Sequence, residues 1–132
     1  MTSYLISIIF VLNGLYDITC ACSILWLYRL PGFSFLSNLH ATMFENDEHI
    51  NHAVIRRLLA YWLLTYGMVR TAAGLHSDYV LNTVGALTYV IEAFCFEYEL
   101  RVGETMIRSK VTFVSVLCLL IAALIFTSHA HL

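Results

Sequence analysis

Four apolar stretches, Tyr4–Tyr28, Leu58–Leu75, Tyr79–Phe96 and Val111–Thr127, carry only three ionisable acid or base side chains between them: Asp17, Arg70 and Glu92. Each approaches or exceeds the ~17–25 residues with which a helix crosses a ~30 Å hydrocarbon layer. The whole chain is 60% hydrophobic and 12% charged, against roughly 45–50% and about 25% in soluble domains. A water-soluble fold of 132 residues has no interior large enough for so much apolar surface. The expected fold is an all-α membrane protein: a four-transmembrane-helix antiparallel bundle in a single domain, with both termini on the same side. The helices are expected at about 3–29, 47–75, 78–101 and 107–128, with an interfacial loop at 30–46. The first stretch lacks the basic n-region of a signal peptide and is longer than its apolar region, so it is read as a span.

The connections carry the next constraint. The first loop holds Pro31-Gly32, the membrane anchors Phe33, Phe35 and Leu36, and the acids Glu45, Asp47 and Glu48; it is expected to lie along the membrane surface. Asn46 followed by Asp47 and Glu48 matches a helix N-terminus, where a capping amide and first-turn carboxylates meet unpaired N–H groups. The connection His76-Ser77-Asp78 is short enough to force the second and third spans into an antiparallel hairpin. Six of the seven basic residues (Arg29, Arg56, Arg57, Arg101, Arg108, Lys110) fall on the side of the first and third loops. The positive-inside rule places those loops in the cytosol, matrix or stroma and the termini opposite.

Across the hairpin, small residues recur at helical spacing. Ala60, Gly67 and Gly74 on the second span and Gly85 and Thr88 on the third are expected to form a hairpin packing seam, since helices in lipid associate through close backbone approach and polar pairs. Asp17, Arg70 and Glu92 are expected as intramembrane polar struts. A charge within the bilayer costs ~2.5–3.5 kcal/mol on insertion scales and needs a partner. Arg70 and Glu92 are offset along the hairpin by about 10 Å of helical rise. Each side chain leans toward the N-terminus of its own helix, hence toward the other. Asp17, at nearly the depth of Glu92, competes for Arg70. Arg56, Arg57, Glu97 and Glu99 are expected to form interfacial ion pairs.

The residues nominate no catalytic site. No nucleophile triad, phosphate loop, haem motif or zinc-protease motif is present, so no enzyme, cofactor or metal is expected. His49 with His52, and His129 with His131, have spacings that metal sites use but lack a companion thiolate or carboxylate. Cys20, Cys22, Cys95 and Cys118 all lie in apolar stretches and read as small hydrophobes. The net charge of -2 gives no footing for nucleic acid.

Arg57, Trp62 five residues on, and Val69-Arg70 closing an interval of thirteen, together with Tyr89 ten residues before Glu99 and a threonine at 88, resemble the hairpin of the ergosterol biosynthetic protein 28 family. Tyr98, Cys95 and Glu92 depart from that pattern. The resemblance implies a small four-helix protein of the endoplasmic reticulum, a non-catalytic scaffold that tethers sterol C-4 demethylation enzymes. The partners it implies are other integral membrane proteins, in a hetero-oligomeric complex, and membrane lipid. Two alternatives stand beside it: an accessory subunit of a respiratory or photosynthetic complex in an organellar inner membrane, and a small transporter or ligand-binding bundle using Asp17, Arg70 and Glu92. A cavity joining those three residues to one interface is the feature that separates the last from the others.

Overall fold

In the computed structural model, which describes residues 2–45, 50 and 52–129, the chain is all-helical apart from one isolated bridge. Helix α1 (Thr2–Cys22) runs on through a single π-helical turn, Ser23–Leu27; α2 (Phe33–Leu39) is short and is followed by a 3-10 turn at Ala41–Met43. The three long helices that follow are α3 (Ala53–His76), α4 (Tyr79–Tyr98) and α5 (Arg108–His129), with a second π turn, Glu99–Gly103, extending α4. Three segments are long and apolar enough to cross a membrane: Ser3–Leu27, Tyr79–Gly103 and Arg108–His129. Helix α3 matches them in length, but its three arginines lower its hydropathy.

The sequence sets each end. Ser77 closes α3 in the left-handed region (φ 50°), donating its N–H to the Ala73 carbonyl at 3.1 Å, and Asp78 then caps α4 by accepting from the N–H groups of Val80 and Leu81 at 2.9 and 3.0 Å. Two residues thus reverse the chain. Gly32, at φ 85°, turns it into α2, a conformation that side chains with a Cβ rarely adopt. The expected interfacial loop at 30–46 is therefore partly helical. Its far end is pinned to the third loop: Glu45 donates its N–H to the Thr105 carbonyl at 2.9 Å, Ile107 to that of Met43 at 2.8 Å, and Lys110 Nζ to that of Thr42 at 2.7 Å. The helix start expected at Asn46–Glu48, and His49 and His131, lie outside the described residues.

Packing corrects the expected seam. Helix α3 carries the stripe Ala60, Gly67, Gly74, all buried, and this stripe faces α1 rather than its hairpin partner α4. A Cβ built on Gly67 would meet the Gly14 carbonyl at 2.8 Å and Ile18 at 2.7 Å; on Gly74 it would meet the Ser7 carbonyl at 2.7 Å and Val11 at 2.6 Å; on Gly14, the Gly67 carbonyl at 2.7 Å. Ala60 sits in one cluster with Cys20 and Ala21. Heptad steps along α3 (60, 67, 74) therefore meet heptad steps along α1 (21, 14, 7), an antiparallel contact in which backbone touches backbone. Gly85 of α4 does lie at the expected hairpin contact, where a Cβ would meet that of Ala73 on α3 at 3.3 Å, and its missing Cβ also leaves room for the ring of Phe10 of α1, which is wholly buried. Among the five expected seam residues, Thr88 joins α3 to α4 through a hydrogen bond to Arg70.

Helix α5 packs on α4 through Ala93, Cys118, Ala122 and Ile125. It makes little contact with α1, and a gap is left between the two.

Candidate functional site

Arg70 is the centre of the buried polar groups. It sits in the C-terminal third of α3, six residues before His76, is 2% exposed, and its guanidinium reaches groups on two other helices. Nε donates to Thr88 Oγ1 at 2.9 Å, Nη1 to Asp17 Oδ2 at 2.6 Å, and Nη2 to Glu92 Oε2. Thr88 in turn donates to the Gly85 carbonyl at 2.6 Å, which leaves its oxygen free to accept from the arginine. The Tyr89 ring lies under the guanidinium, 3.9 Å from its carbon to the ring centroid, and Tyr66 stands at 5.4 Å. A desolvated cation over an aromatic face gains about 2 kcal/mol. Arginine suits this site because its planar donors reach separate acceptors at once and it does not lose its charge on burial.

The two acids are not equivalent. The Asp17 side chain is 6% exposed and that of Glu92 13%. Each offers one oxygen to Arg70 and has another, Asp17 Oδ1 and Glu92 Oε1, with no hydrogen bond among the described residues. Two carboxylates against one guanidinium leave an excess of one negative charge when both are ionised. The sequence places Asp17 and Glu92 at nearly one depth and Arg70 about 10 Å of helical rise from Glu92; that one arginine holds both acids is a result of the way α1, α3 and α4 pack.

The cluster opens onto a cleft. A cavity of about 790 Å³ lies in the gap between α1 and α5, with Asp17, Arg70, Tyr89 and Glu92 at its deep end and His40, Thr42, Ser109 and Lys110 at its rim. Its walls between are largely apolar: Met43, Phe96, Phe113, Val114, Leu117 and Ile121. From Ser109 to Ile121 along α5 is about 18 Å at about 1.5 Å per residue. The cleft thus runs from the loop-side interface to the middle of the spans. Two polar atoms on its wall, Tyr89 Oη and His40 Nδ1, are buried without a hydrogen-bond partner among the described residues. Burial lowers the His40 imidazole to about 4, so it is neutral at physiological pH.

Glu97 accepts from Arg101 Nε at 2.8 Å one turn on. Glu99 accepts a hydrogen bond from Thr105 Oγ1 at 2.8 Å and lies over Gly103. Arg56 donates to the Ser37 carbonyl at 2.6 Å and to Asn38 Oδ1 at 3.0 Å, fastening α2 to α3. Arg57 is exposed and makes no ion pair with a described residue. No group of three His, Cys, Asp or Glu able to hold a metal occurs among the described residues.

Gly14 and the position of the cleft were not legible as functional features in the sequence, and Tyr89 entered only through the family resemblance. Gly14 stands one helical turn before Asp17, which is the only sequence signal that it had.

Because the amide keeps a carbonyl for Arg70, Glu92→Gln is expected to leave the fold intact, at a cost of about 1 kcal/mol. Thermal unfolding in mild detergent checks this; a loss as large as that of Arg70→Leu would show that the second carboxylate charge is itself required for folding.

Fold and site together define an all-helical protein with membrane-spanning segments arranged around a buried cluster of one cation and two acids. No protein-family model, curated protein or solved structure matches the chain.

Proposed function

We propose that the chain is a four-span membrane bundle that works by binding, holding a small ligand in the cleft between α1 and α5. Helix α3 is the fourth span in this reading: its 24 residues match its neighbours, and its one deep charge is paired. The observation that carries the reading is the cleft, which joins Asp17, Arg70 and Glu92 to one interface. Its volume lies within the ~300–1,000 Å³ of small-molecule sites, and it has their apolar walls and few convergent polar groups.

The test is native mass spectrometry of the protein released from membranes in mild detergent, as wild type and as Val114→Trp, which fills the cleft from α5 away from Arg70. A bound small molecule retained by the wild type and lost in the variant is the expected result. No bound molecule in the wild type, or equal retention by both, would overturn the reading.

The scaffold reading is favoured by a different observation: Arg70 clamps α1, α3 and α4 into one body through hydrogen bonds to Asp17, Thr88 and Glu92. In that reading the protein is a non-catalytic accessory or tethering subunit of a larger membrane complex. The hairpin resemblance points to the sterol C-4 demethylation enzymes of the endoplasmic reticulum as the partners, and a respiratory or photosynthetic assembly is the alternative. Proteins that co-purify equally with wild type and Val114→Trp would support it.

The basic first and third loops face the cytosol, matrix or stroma and the termini face the opposite side. Single cysteines introduced at Ser3 and Glu104 in a background lacking the native thiols are expected to label from opposite sides of sealed vesicles. Labelling of both from one side would refute the four-span topology.

A further inference from the structure

The deep end of the cleft has more acceptors than donors. Asp17 Oδ1 and Glu92 Oε1 lack partners among the described residues, as does Tyr89 Oη, while the guanidinium is engaged on all three of its nitrogens and covered on one face by the Tyr89 ring. Tyr89 is only 1% exposed and lines the deep end of the cleft. A buried polar group without a partner costs ~1–3 kcal/mol, which a bound molecule placing a donor there would recover. The formal charge of the three ionised residues is also negative by one unit, in surroundings where an unbalanced charge is strongly disfavoured. Only the rim carries a further positive group, Lys110, and its Nζ donates to the Thr42 carbonyl.

The geometry points to a lipophilic organic cation as the occupant: a protonated amine on a compact apolar body, its nitrogen at Asp17, Glu92 and Tyr89 and its body against Phe96, Phe113, Val114 and Leu117. This rests on the ligand-binding reading and adds the chemical class. Each part of the ligand has a counterpart in the site. The ammonium supplies the positive charge that the cluster lacks and donates N–H groups to the free carboxylate oxygens. An anionic amphiphile finds the opposite: two carboxylates at the depth where its own charge would come to rest. A neutral one is accepted by the walls but leaves the charge excess unbalanced.

The route is lateral. Helices α1 and α5 barely touch, and Phe113 and Leu117 on the cleft wall are themselves exposed on the outer face. A molecule dissolved in the bilayer therefore reaches the cluster between these helices without crossing the loops.

Three molecules with one apolar cage and different head groups test the class: adamantylamine, adamantanol and adamantane carboxylate, titrated into the full-length protein in nanodiscs and read by calorimetry. The amine is expected to bind at least about tenfold more tightly than the alcohol, a factor worth ~1.4 kcal/mol, and the carboxylate not at all. Asp17→Asn and Glu92→Gln, each of which removes the charge excess while keeping an acceptor for Arg70, are expected to abolish that preference. Two variants guard against one failing to fold. Equal binding of amine and alcohol, or preference for the carboxylate, overturns the cationic class while the ligand-binding reading stands. Absence of binding by all three, together with no retained molecule in the wild type, removes both.

Discussion

Arg70→Leu is expected to unfold the bundle or to reduce it to a small fraction of the wild-type yield. The substitution leaves Asp17 and Glu92 buried with no cation between them, and leaves Thr88 without the donor that its hydroxyl accepts. Removing one partner of a buried ion pair costs about 3–5 kcal/mol because the other is left uncompensated. Here two acids lose the same partner. Total stabilities of only ~5–15 kcal/mol leave little margin for such a loss. The measurement is the monodisperse fraction and unfolding temperature in mild detergent, compared with Glu92→Gln. The double change Arg70→Leu with Asp17→Asn should recover part of the loss, since it removes one unpaired carboxylate. A single Arg70→Leu variant as stable as the wild type would show that the cluster does not hold the helices together.

The second large effect is expected where α1 and α3 touch. Gly14→Ala and Gly67→Ala each place a methyl group within 3 Å of backbone on the facing helix: Thr71 N at 2.6 Å and the Gly67 carbonyl at 2.7 Å in the first case, the Gly14 carbonyl at 2.8 Å in the second. Backbone cannot rotate out of the way as a side chain can, so the helices must separate. Overpacking costs ~1–3 kcal/mol, and separation also lengthens the Arg70–Asp17 bond, which bridges the same two helices. Against this stands the helix propensity of alanine over glycine, about 1 kcal/mol. The clash is expected to prevail, with a fall of the unfolding temperature for each variant. Met68→Ala, beside Gly67 but 60% exposed, is the control and should change little. Equal behaviour of Gly67→Ala and Met68→Ala would show that the two backbones are farther apart than the structure places them.

These two substitutions show how much of the molecule the sequence reveals. That Gly67 and Gly74 belong to a close contact was legible from their seven-residue spacing in an apolar run. The partner was not. Helical periodicity tells which side chains share a face, but a helix in a bundle is covered on several sides, and α3 shows its small stripe to α1 while showing Arg70 to α1 and α4 together. The short turn at Ser77-Asp78 made α4 the natural partner because it enforces proximity in the chain. It does not set the rotation of either helix about its axis. That rotation follows from burying Phe10 against Gly85 and from bringing Gly14 onto Gly67.

What the sequence determined by itself is what depends on composition and local order. The long apolar runs require helices, because only internal hydrogen bonding satisfies the backbone in lipid. Ser77 and Asp78 end one helix and cap the next. The scarcity of charge made Asp17, Arg70 and Glu92 conspicuous, and the lean of Arg70 and Glu92 toward each other across their offset made contact expected. Tertiary structure alone decided that one arginine answers two acids on different helices, that α2 and the first loop are tied to the third through Met43, Thr42 and Lys110, and that α1 and α5 stand apart to leave a cleft at the cluster. The physical reason is that these depend on distances between segments far apart in the chain. Those distances are set only when the small residues of α1 and α3 have closed against each other and Cys118, Ala122 and Ile125 of α5 have packed on α4 instead.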